Sequence, residues 1–287
     1  MGELRKFTVA GLVVKESNEA GIRTCVLVEQ WFREHGVPCR VITQPHERIA
    51  DTLLPGTDLL VVFAGDGTMV SVARQSLGMG IPIVGINFGR VGFLAELSEG
   101  SWQEALEAAL HSGFTTERRM AVRYALYRGR DCIRQGEVVN DVVVTRGKVA
   151  RLVKLQLGVN GAPFVTLRAD GLILSTPTGA SGYAGSAGGP LVLPTLNAYV
   201  VAAICPYLSS FPPLVLTHET VFSITIGEAE PDLYLTLDGQ EAHALTQGDR
   251  LEVSGAPDRI LLADFGRKNY FSRLIQAGFI QEYKRPC

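Results

Sequence analysis

The segment Ala64-Gly65-Asp66-Gly67-Thr68 carries the clearest chemistry in the sequence. It follows the apolar run Leu59–Phe63 and opens a segment with helical spacing, so its backbone N–H groups would gather at the positive end of a helix, where phosphate binds well. The glycines let an anion or a ribose approach the main chain, and Asp66 supplies a carboxylate that can accept or orient the proton of a hydroxyl nucleophile in phosphoryl transfer. Because Asp-Gly is also common in turns, a plain strand-to-helix turn is the alternative interpretation.

Two familiar phosphate-binding signatures are absent from the chain. Gly147-Lys148 is followed by Val149, so there is no P-loop, and Val70 stands where a dinucleotide fingerprint beginning at Gly65 needs glycine. The loop therefore indicates another way of holding phosphate.

A second stretch, Asp170–Tyr183 continuing to Ser186–Pro190, is dense in hydroxyl-bearing and small side chains. Short donors and free backbone amides without bulk fit a ligand with ribose hydroxyls and a pyrophosphate, and Tyr183 is available to stack on a ring. A long surface loop is the alternative. The apolar strand on one side and Leu191–Leu193 on the other favour the binding interpretation.

A third feature is the pair Asn140-Asp141, which interrupts an apolar strand predicted over Val138–Thr145. An Asn amide can both donate to and accept from an adenine edge. A β-bulge or a turn at a strand end explains the pair equally well.

The elements that must position these residues fall into two groups. In the first, short apolar runs alternate with segments of helical spacing, which predicts an α/β domain with a Rossmann-like parallel sheet. The predicted elements of this group are Phe7–Val14, Glu19–His35, Pro38–Thr43, Asp58–Ala64, Thr68–Leu77, Ile81–Ile86 and Trp102–His111.

From Thr115 onward the pattern changes to closely spaced β-like runs, and the sequence predicts a second, β-rich domain. Asn160-Gly161 is a strong hairpin signal, and Asp238-Gly239 is better explained by a hairpin turn than by a site. The predicted strands are Val138–Thr145, Leu152–Val159, Pro163–Leu167, Val221–Ile226, Leu233–Leu237 and Arg250–Val253. The tail Asn269–Ile280 returns to helical spacing, so we expect domains at 1–114 and 115–262, with 263–287 packing back on the first.

The composition narrows the class of ligand. The chain has 27 basic and 29 acidic residues, which gives no electrostatic footprint for nucleic acid or an anionic membrane and favours a small ligand. Its five cysteines lie far apart without a metal-binding or disulfide pattern, so we expect reduced thiols in the cytoplasm. The apolar run Leu196–Cys205 is about half the length that a membrane span requires.

Taken together, these features resemble the NAD kinase family. The points of resemblance occur in the order of that family and span most of the chain. They are the Gly-Asp-Gly-Thr loop at 65–68, Gly85–Leu94, Asn140-Asp141, Asp170–Tyr183, Ser186–Pro190 and Asp238-Gly239-Gln240.

The resemblance implies an active site in the cleft between the two domains. There the adenosine 2′-hydroxyl of NAD would attack the terminal phosphoryl of ATP or inorganic polyphosphate, with Asp66 as proton acceptor and a divalent ion, normally magnesium, on the donor. The phosphate-donor loop would be Gly65, Gly67 and Thr68. The NAD contacts implied by the resemblance are Asp66, Gly67, Asn140, Asp141, Arg151, Arg168, Asp170, Thr178, Ser181, Gly182, Tyr183, Ala184, Gly185, Ser186 and Gln240. It also implies a homodimer or homotetramer, and it assigns no metal ligands.

Three departures from the family pattern and two alternative functions stand beside this resemblance. Ala64 replaces a glycine, Gly179–Tyr183 has one hydroxyl fewer, and Cys205–Pro213 lacks the usual His and Arg. Lipid and sugar kinases carry a similar Gly-Asp-Gly loop, although the stretch Thr176–Pro190 argues against them. The other alternative is a protein that binds NAD(P) without turnover, which the intact Asp66 disfavours.

Overall fold

The computed structural model describes residues 4–43, 48–88, 92–147, 152–208, 210–227, 232–266 and 270–281. The chain divides into two compact units. Unit 1 comprises Met1–Arg118 and Ile260–Cys287, and unit 2 comprises Arg119–Arg259. No helix in the described part of the chain combines the length and apolarity needed to cross a membrane.

Unit 1 is an α/β unit with a mainly parallel sheet. Its strands are β1 (Ala10–Val14), β2 (Cys39–Ile42), β3 (Leu59–Phe63), β4 (Ile83–Asn87) and β5 (Leu97–Ser98). Its helices are α1 (Glu19–Glu34), α2 (Ile49–Thr52), α3 (Asp66–Gln75), α4 (Trp102–Ser112) and, near the C-terminus, α6 (Tyr270–Gln276). Every residue of β1 and β3 is buried, as expected for parallel strands covered on both faces.

The strand order of unit 1 creates a crevice at the carboxyl ends of its strands. The order is β2-β1-β3-β4, all parallel. From β1 the chain moves to one side of the sheet and from β3 to the other, so β1 and β3 form a topological switch point, where ligands bind beyond the carboxyl ends of the strands. Helices α1 and α3 both begin at the carboxyl ends of these strands, because α1 follows β1 and α3 follows β3.

Unit 2 is β-rich. Its strands are β6 (Thr115–Arg128), β7 (Asp131–Val138), β8 (Asp141–Arg146), β9 (Val153–Val159), β10 (Ala162–Ala169), β11 (Gly171–Ser175), β12 (Ala198–Ile204), β13 (Leu214–Thr217), β14 (Phe222–Ile226), β15 (Leu233–Leu237), β16 (Glu241–Leu245) and β17 (Arg250–Asp264). The first residues of β6, up to Arg118, and the last of β17, from Ile260, belong to unit 1. One antiparallel sheet has the order β13-β12-β11-β8-β15-β16, and a second contains β10-β9-β14-β17 with β6 and β7. Apolar side chains from both sheets form a common core that includes Tyr199 and Phe222. A short helix, α5 (Tyr183–Ser186), follows β11.

The predicted fold class, an α/β domain followed by a β-rich one, is confirmed. Both hairpins are also confirmed, since the two turn residues at Asn160-Gly161 and at Asp238-Gly239 all have positive φ between antiparallel strands. The single strand predicted over Val138–Thr145 is wrong, because β7 ends at Val138 and β8 starts only at Asp141. The strand predicted over Arg250–Val253 continues to Asp264.

Candidate functional site

Asp66 is the first residue of α3, and the backbone of a neighbouring loop fixes its carboxylate. Oδ2 accepts a hydrogen bond from the Phe93 N–H at 2.8 Å, and Oδ1 accepts one from the Leu94 N–H at 3.2 Å. Gly92 lies so close that a Cβ there would collide with the carboxylate. Each carboxylate oxygen has two acceptor positions. The carboxylate is thus oriented and keeps capacity to accept a hydroxyl proton.

The two glycines that flank Asp66 leave space in front of the helix. A Cβ built on Gly65 or Gly67 meets no atom of the described residues within 4 Å, and neither glycine has a positive φ. By contrast, a Cβ on Gly85 would lie 2.8 Å from the Met69 sulfur. Neither packing nor backbone conformation therefore requires glycine at 65 and 67, and the open side of the loop is available to a ligand.

Asn18 helps to build the site at the carboxyl ends of the unit 1 strands, a role that was not predicted from the sequence. Its Oδ1 accepts from the Gly21 N–H at 3.0 Å and caps α1, while its Nδ2 donates to the Phe63 carbonyl at 3.0 Å. The side chain thereby ties the start of α1 to the end of β3. The signal was available, because Asn is a preferred N-cap before a helical segment.

In unit 2, Asp238 organises the Asn140-Asp141 pair through the backbone. Its carboxylate accepts hydrogen bonds from the N–H groups of Val139 at 3.0 Å, Asn140 at 2.6 Å and Asp141 at 3.2 Å. Asp238 has a φ of 53°, in the left-handed region, as its place in the hairpin turn requires. These bonds explain why the strand is interrupted here.

The hydroxyl-rich stretch that begins at Asp170 forms hydrogen bonds to the backbone of Val139 and Asn140. The Thr176 N–H donates to the Asn140 carbonyl at 2.8 Å, and Thr176 Oγ1 donates to the Val139 carbonyl at 2.6 Å. A Cβ on Gly179 would collide with the Asn140 carbonyl, so glycine is required there. Three segments that are distant in sequence therefore converge around Asn140, Asp141 and Thr178.

Thr178 has the clearest unmet hydrogen-bonding capacity in this cluster. Its Oγ1 is buried and has no hydrogen-bond partner within the described residues. Buried hydroxyls are nearly always paired, so an unpaired one calls for a water molecule or a ligand atom. This observation favours a binding role for Thr178.

The residues after Thr178 form a short 3₁₀ turn, Gly179–Ser181, followed by α5. Gly182, Tyr183 and Ser186 are exposed, while Ser181 and Gly185 are half-buried. Ala184 is fully buried against the core, and its carbonyl accepts from the Gly189 N–H at 2.8 Å, so this residue offers no exposed surface to a ligand.

The structure does not bring every predicted contact together. Asp170 forms a bidentate ion pair with Arg146, at 2.6 and 3.0 Å. It precedes β11, at the opposite end of the β8–β11 pair from Asp141, five residues or about 17 Å away at about 3.3 Å per residue. Arg168 is exposed. Gln240, by contrast, lies in the Asp238 turn next to Asn140 and Asp141, and its N–H donates to the Leu237 carbonyl. Arg151 lies outside the described residues.

A separate concavity of about 590 Å³ lies in unit 2 against β6, β7 and β17. Its lining includes Arg123, Tyr127, Glu137 and Glu252. It contains none of the residues predicted from the sequence to bind NAD or phosphate.

Burial dominates the electrostatics of Asp141. Loss of solvent, followed by the nearby charge of Asp238, raises the pKa of the Asp141 carboxyl to about 7. This carboxyl therefore holds its proton in the folded chain at pH values where an exposed Asp, with a pKa of about 3.9, has lost it.

The raised pKa of Asp141 predicts a pH-dependent stability. Between about pH 4 and pH 7 the folded chain binds one more proton than the unfolded chain, so the free energy of unfolding falls as pH rises through this window, by at most about 4 kcal/mol. In Asp141→Asn this fall of the unfolding free energy between about pH 4 and pH 7 should be absent. The variant should therefore be more stable than the parent at pH 8. Denaturant unfolding from pH 5 to pH 8 measures both effects. Asp131→Asn, on the exposed start of β7, is the control, and an unchanged slope in Asp141→Asn would contradict the assignment.

The fit of the site to a divalent ion depends on the donors available. The described residues contain no group of three or more His, Cys, Asp or Glu side chains placed to hold a metal. Mg²⁺ binds through one or two carboxylates together with substrate phosphates and waters rather than in an all-protein cage. The residues present are therefore compatible with an ion that arrives on a phosphate donor.

A glycine-flanked carboxylate at the start of a helix, at the switch point of a parallel sheet, fits a phosphotransferase that acts on an alcohol group. Comparison with known proteins gives the family. The ATP-NAD kinase N-terminal domain family matches residues 6–114, and the ATP-NAD kinase C-terminal domain family matches residues 139–264. The chain belongs to the NAD kinase family, as the sequence resemblance predicted.

Individual relatives agree with this assignment. The NAD kinase of Nitratidesulfovibrio vulgaris (strain DP4) is 44% identical over 273 residues, which cover 95% of this chain and 91% of that protein. The NAD kinase of Oleidesulfovibrio alaskensis (strain G20) is 40% identical over 271 residues, or 94% of this chain and 93% of that protein.

Two solved structures share the fold. A yeast NADH kinase complexed with NADH has a TM-score of 0.86 at 23% identity and covers 99% of this chain and 91% of its own. An NAD kinase from Archaeoglobus fulgidus in complex with ATP has a TM-score of 0.75 at 25% identity and covers 94% of this chain and 100% of its own.

Proposed function

We propose that this chain transfers the terminal phosphoryl group of ATP to the 2′-hydroxyl of the adenosine ribose of NAD, with Asp66 as the proton acceptor, to give NADP. One observation carries the proposal: the Asp66 carboxylate is oriented by two backbone amides at the start of α3, beside two glycines that leave open space. A hydroxyl placed in that space would meet a carboxylate and the positive end of a helix together.

The proposed reaction needs the ribose hydroxyl, ATP and the Asp66 carboxylate. The ribose oxygen attacks the γ-phosphorus, the bond from that phosphorus to the β–γ bridging oxygen breaks, and ADP leaves. The hydroxyl proton passes to Asp66. The amides at the start of α3 stabilise negative charge on the transferring group, which is the main requirement of a loose phosphoryl-transfer transition state.

The proposed adenosine contacts are Asn140, Asp141 and Thr178 in unit 2. Their backbone is fixed by Asp238 and Thr176 before any ligand arrives, which lowers the entropic cost of binding. The unpaired Thr178 hydroxyl and the half-buried Asn140 amide would provide directional hydrogen bonds. Ser181, Gly182, Tyr183, Gly185 and Ser186, with Gln240, extend this surface.

The proposed donor is ATP, since a relative at 25% identity has been crystallised with ATP; inorganic polyphosphate is the alternative. A divalent ion, expected to be Mg²⁺, would neutralise charge on the donor phosphates when it is bound with them. The loop Gly65, Gly67 and Thr68 would face those phosphates.

We also propose a cytoplasmic homodimer or homotetramer. The four cysteines within the described residues are free thiols, which is compatible with a reducing compartment. If Asp170 contacts the dinucleotide, its distance from Asp141 along the β8–β11 pair favours a contact supplied from a second copy of the chain.

The test is product formation by the purified chain. NAD and Mg²⁺ are incubated separately with ATP and with polyphosphate, and NADP is quantified; NADP with ATP is the expected result. No NADP with either donor would refute the proposal. Parallel incubations of ATP with a diacylglycerol, with sphingosine or with fructose 6-phosphate test the lipid-kinase and sugar-kinase alternatives, and turnover there without NADP would favour them.

A further inference from the structure

The loop that orients Asp66 is itself held by the C-terminal segment of unit 1. Arg273, in α6, donates from Nη1 to the Phe93 carbonyl at 2.9 Å. The Phe93 ring packs against Tyr270, at 6.3 Å between ring centroids, and edge-on against Phe279, at 5.8 Å. We call Tyr270, Arg273 and Phe279 the Phe93 clamp.

One peptide group connects Arg273 to Asp66. The Phe93 carbonyl, which accepts from Arg273, and the Leu94 N–H, which donates to Asp66 Oδ1 at 3.2 Å, belong to the same planar peptide unit. A cation that donates to the carbonyl polarises the peptide and makes its N–H a stronger donor. The Arg273 guanidinium therefore acts on both the position and the strength of a hydrogen bond to the Asp66 carboxylate.

The electrostatics of Arg273 agree with this geometry. Burial lowers the pKa of its guanidinium, and attraction to the carboxylates of Glu96, Asp66 and Glu117 opposes that shift. Arginine stays protonated in proteins. The chain thus keeps a permanent, partly desolvated positive charge close to Asp66, at a cost that a solvated surface arginine would not carry.

We propose that Arg273 is a positioning residue for phosphoryl transfer, acting on Asp66 through the Phe93–Leu94 peptide. This inference rests on the proposed role of Asp66 as proton acceptor. It assigns to the C-terminal segment an indirect part in the reaction: the Phe93 clamp sets the orientation of the carboxylate to which the hydroxyl proton is transferred. The competing explanation is that Arg273 only anchors α6.

Substitution of Arg273 separates these explanations. Arg273→Met should lower kcat for NADP formation by about 10- to 100-fold, because a small misplacement of a reacting group costs this much. The KM for NAD should change by less than about threefold, since the proposed adenosine contacts are untouched. Arg273→Lys, which keeps the charge and one donor, should recover part of kcat.

A matched control removes the same kind of bond elsewhere in unit 1. Arg5 donates from Nη1 to the Gly80 carbonyl at 3.0 Å, and none of the hydrogen bonds described for Phe93 or Leu94 involves it. Arg5→Met should leave kcat unchanged. Thermal unfolding of all variants shows whether any loss of kcat follows a loss of folded protein. If Arg273→Met does not fold, Arg273→Gln and Arg273→Lys supply the comparison.

A double-mutant cycle with Asp66→Asn completes the test. If Arg273 acts through Asp66, Arg273→Met should lower kcat by less than about threefold in the Asp66→Asn background, because the group that it positions is already lost. An equal loss in both backgrounds, or equal kcat in Arg273→Met and the parent, would overturn the positioning role. Near-normal turnover by Asp66→Asn alone would instead refute the role of Asp66 as proton acceptor, and no NADP from the parent chain would refute the proposed function, so these failures are distinguishable.

Discussion

Asp66→Asn is expected to lower turnover by about two to four orders of magnitude, because the variant keeps the shape of the side chain but loses the group that accepts the hydroxyl proton. The fold should persist. The amide has only one oxygen to accept from the N–H groups of Phe93 and Leu94, so one of these bonds is lost, at about 1–2 kcal/mol of stability. The KM for NAD should stay within about threefold.

Asp58→Asn is a control of matched chemistry in the same unit. The Asp58 carboxylate also accepts from two consecutive backbone N–H groups, those of Thr8 at 2.9 Å and Val9 at 3.0 Å. It precedes β3 and so lies at the opposite end of that strand from Asp66. Asp58→Asn should lose similar stability with turnover per folded molecule unchanged. Steady-state assays of NADP formation, paired with denaturant unfolding, measure both quantities, and near-normal turnover in Asp66→Asn would remove Asp66 from its role as base.

The elements of unit 1 could be predicted because their signals are local. The run Leu59–Phe63 is uniformly apolar, and the loop after it starts a helix at Asp66, so strand, loop and helix follow from neighbouring residues. The amides of Phe93 and Leu94 could not be assigned to Asp66 in the same way. They lie 27 and 28 residues further along the chain, and no periodicity encodes a hydrogen bond between a side chain and a distant backbone.

The interrupted strand in unit 2 also depends on hydrogen bonds between distant residues, which the sequence pattern does not encode. Apolar residues continue through Val138 and Val139 into Val142, so the pattern favours one strand. The N–H groups of Val139, Asn140 and Asp141 bond instead to the Asp238 carboxylate, 97 to 99 residues away. The Asp238 turn itself was predicted, because Asp-Gly after an apolar run is a local hairpin signal. Its second role as an acceptor for three amides was not, because that role depends on the tertiary arrangement.

Asp238→Ala is expected to destabilise the chain more than any other single change at the candidate site. Three buried or half-buried N–H groups lose their acceptor, and each unsatisfied amide costs about 1–3 kcal/mol. The left-handed φ of 53° adds about 1 kcal/mol for a residue without a polar side chain. Removing the negative charge of Asp238 also removes its repulsion of the Asp141 carboxylate, so the pKa of Asp141 should fall. The resulting gain in stability is small, because burial is the larger cause of the raised pKa. The three amides therefore make the net effect destabilising, and we expect a loss of at least about 4 kcal/mol of unfolding free energy.

The same substitution should raise the KM for NAD at least tenfold in the fraction that remains folded, because the backbone that carries Asn140 and Asp141 loses its fixed position. Asn160→Ala is the matched control. Asn160 also occupies a hairpin turn of unit 2 with a positive φ, and its Oδ1 accepts a single N–H, that of Val221 at 2.9 Å. It should lose only about 1–2 kcal/mol, with an unchanged KM. Unfolding curves and NAD titrations of the two variants give the comparison. Equal losses of stability, or an unchanged KM in Asp238→Ala, would show that the Asp238 carboxylate does not organise the adenosine contacts.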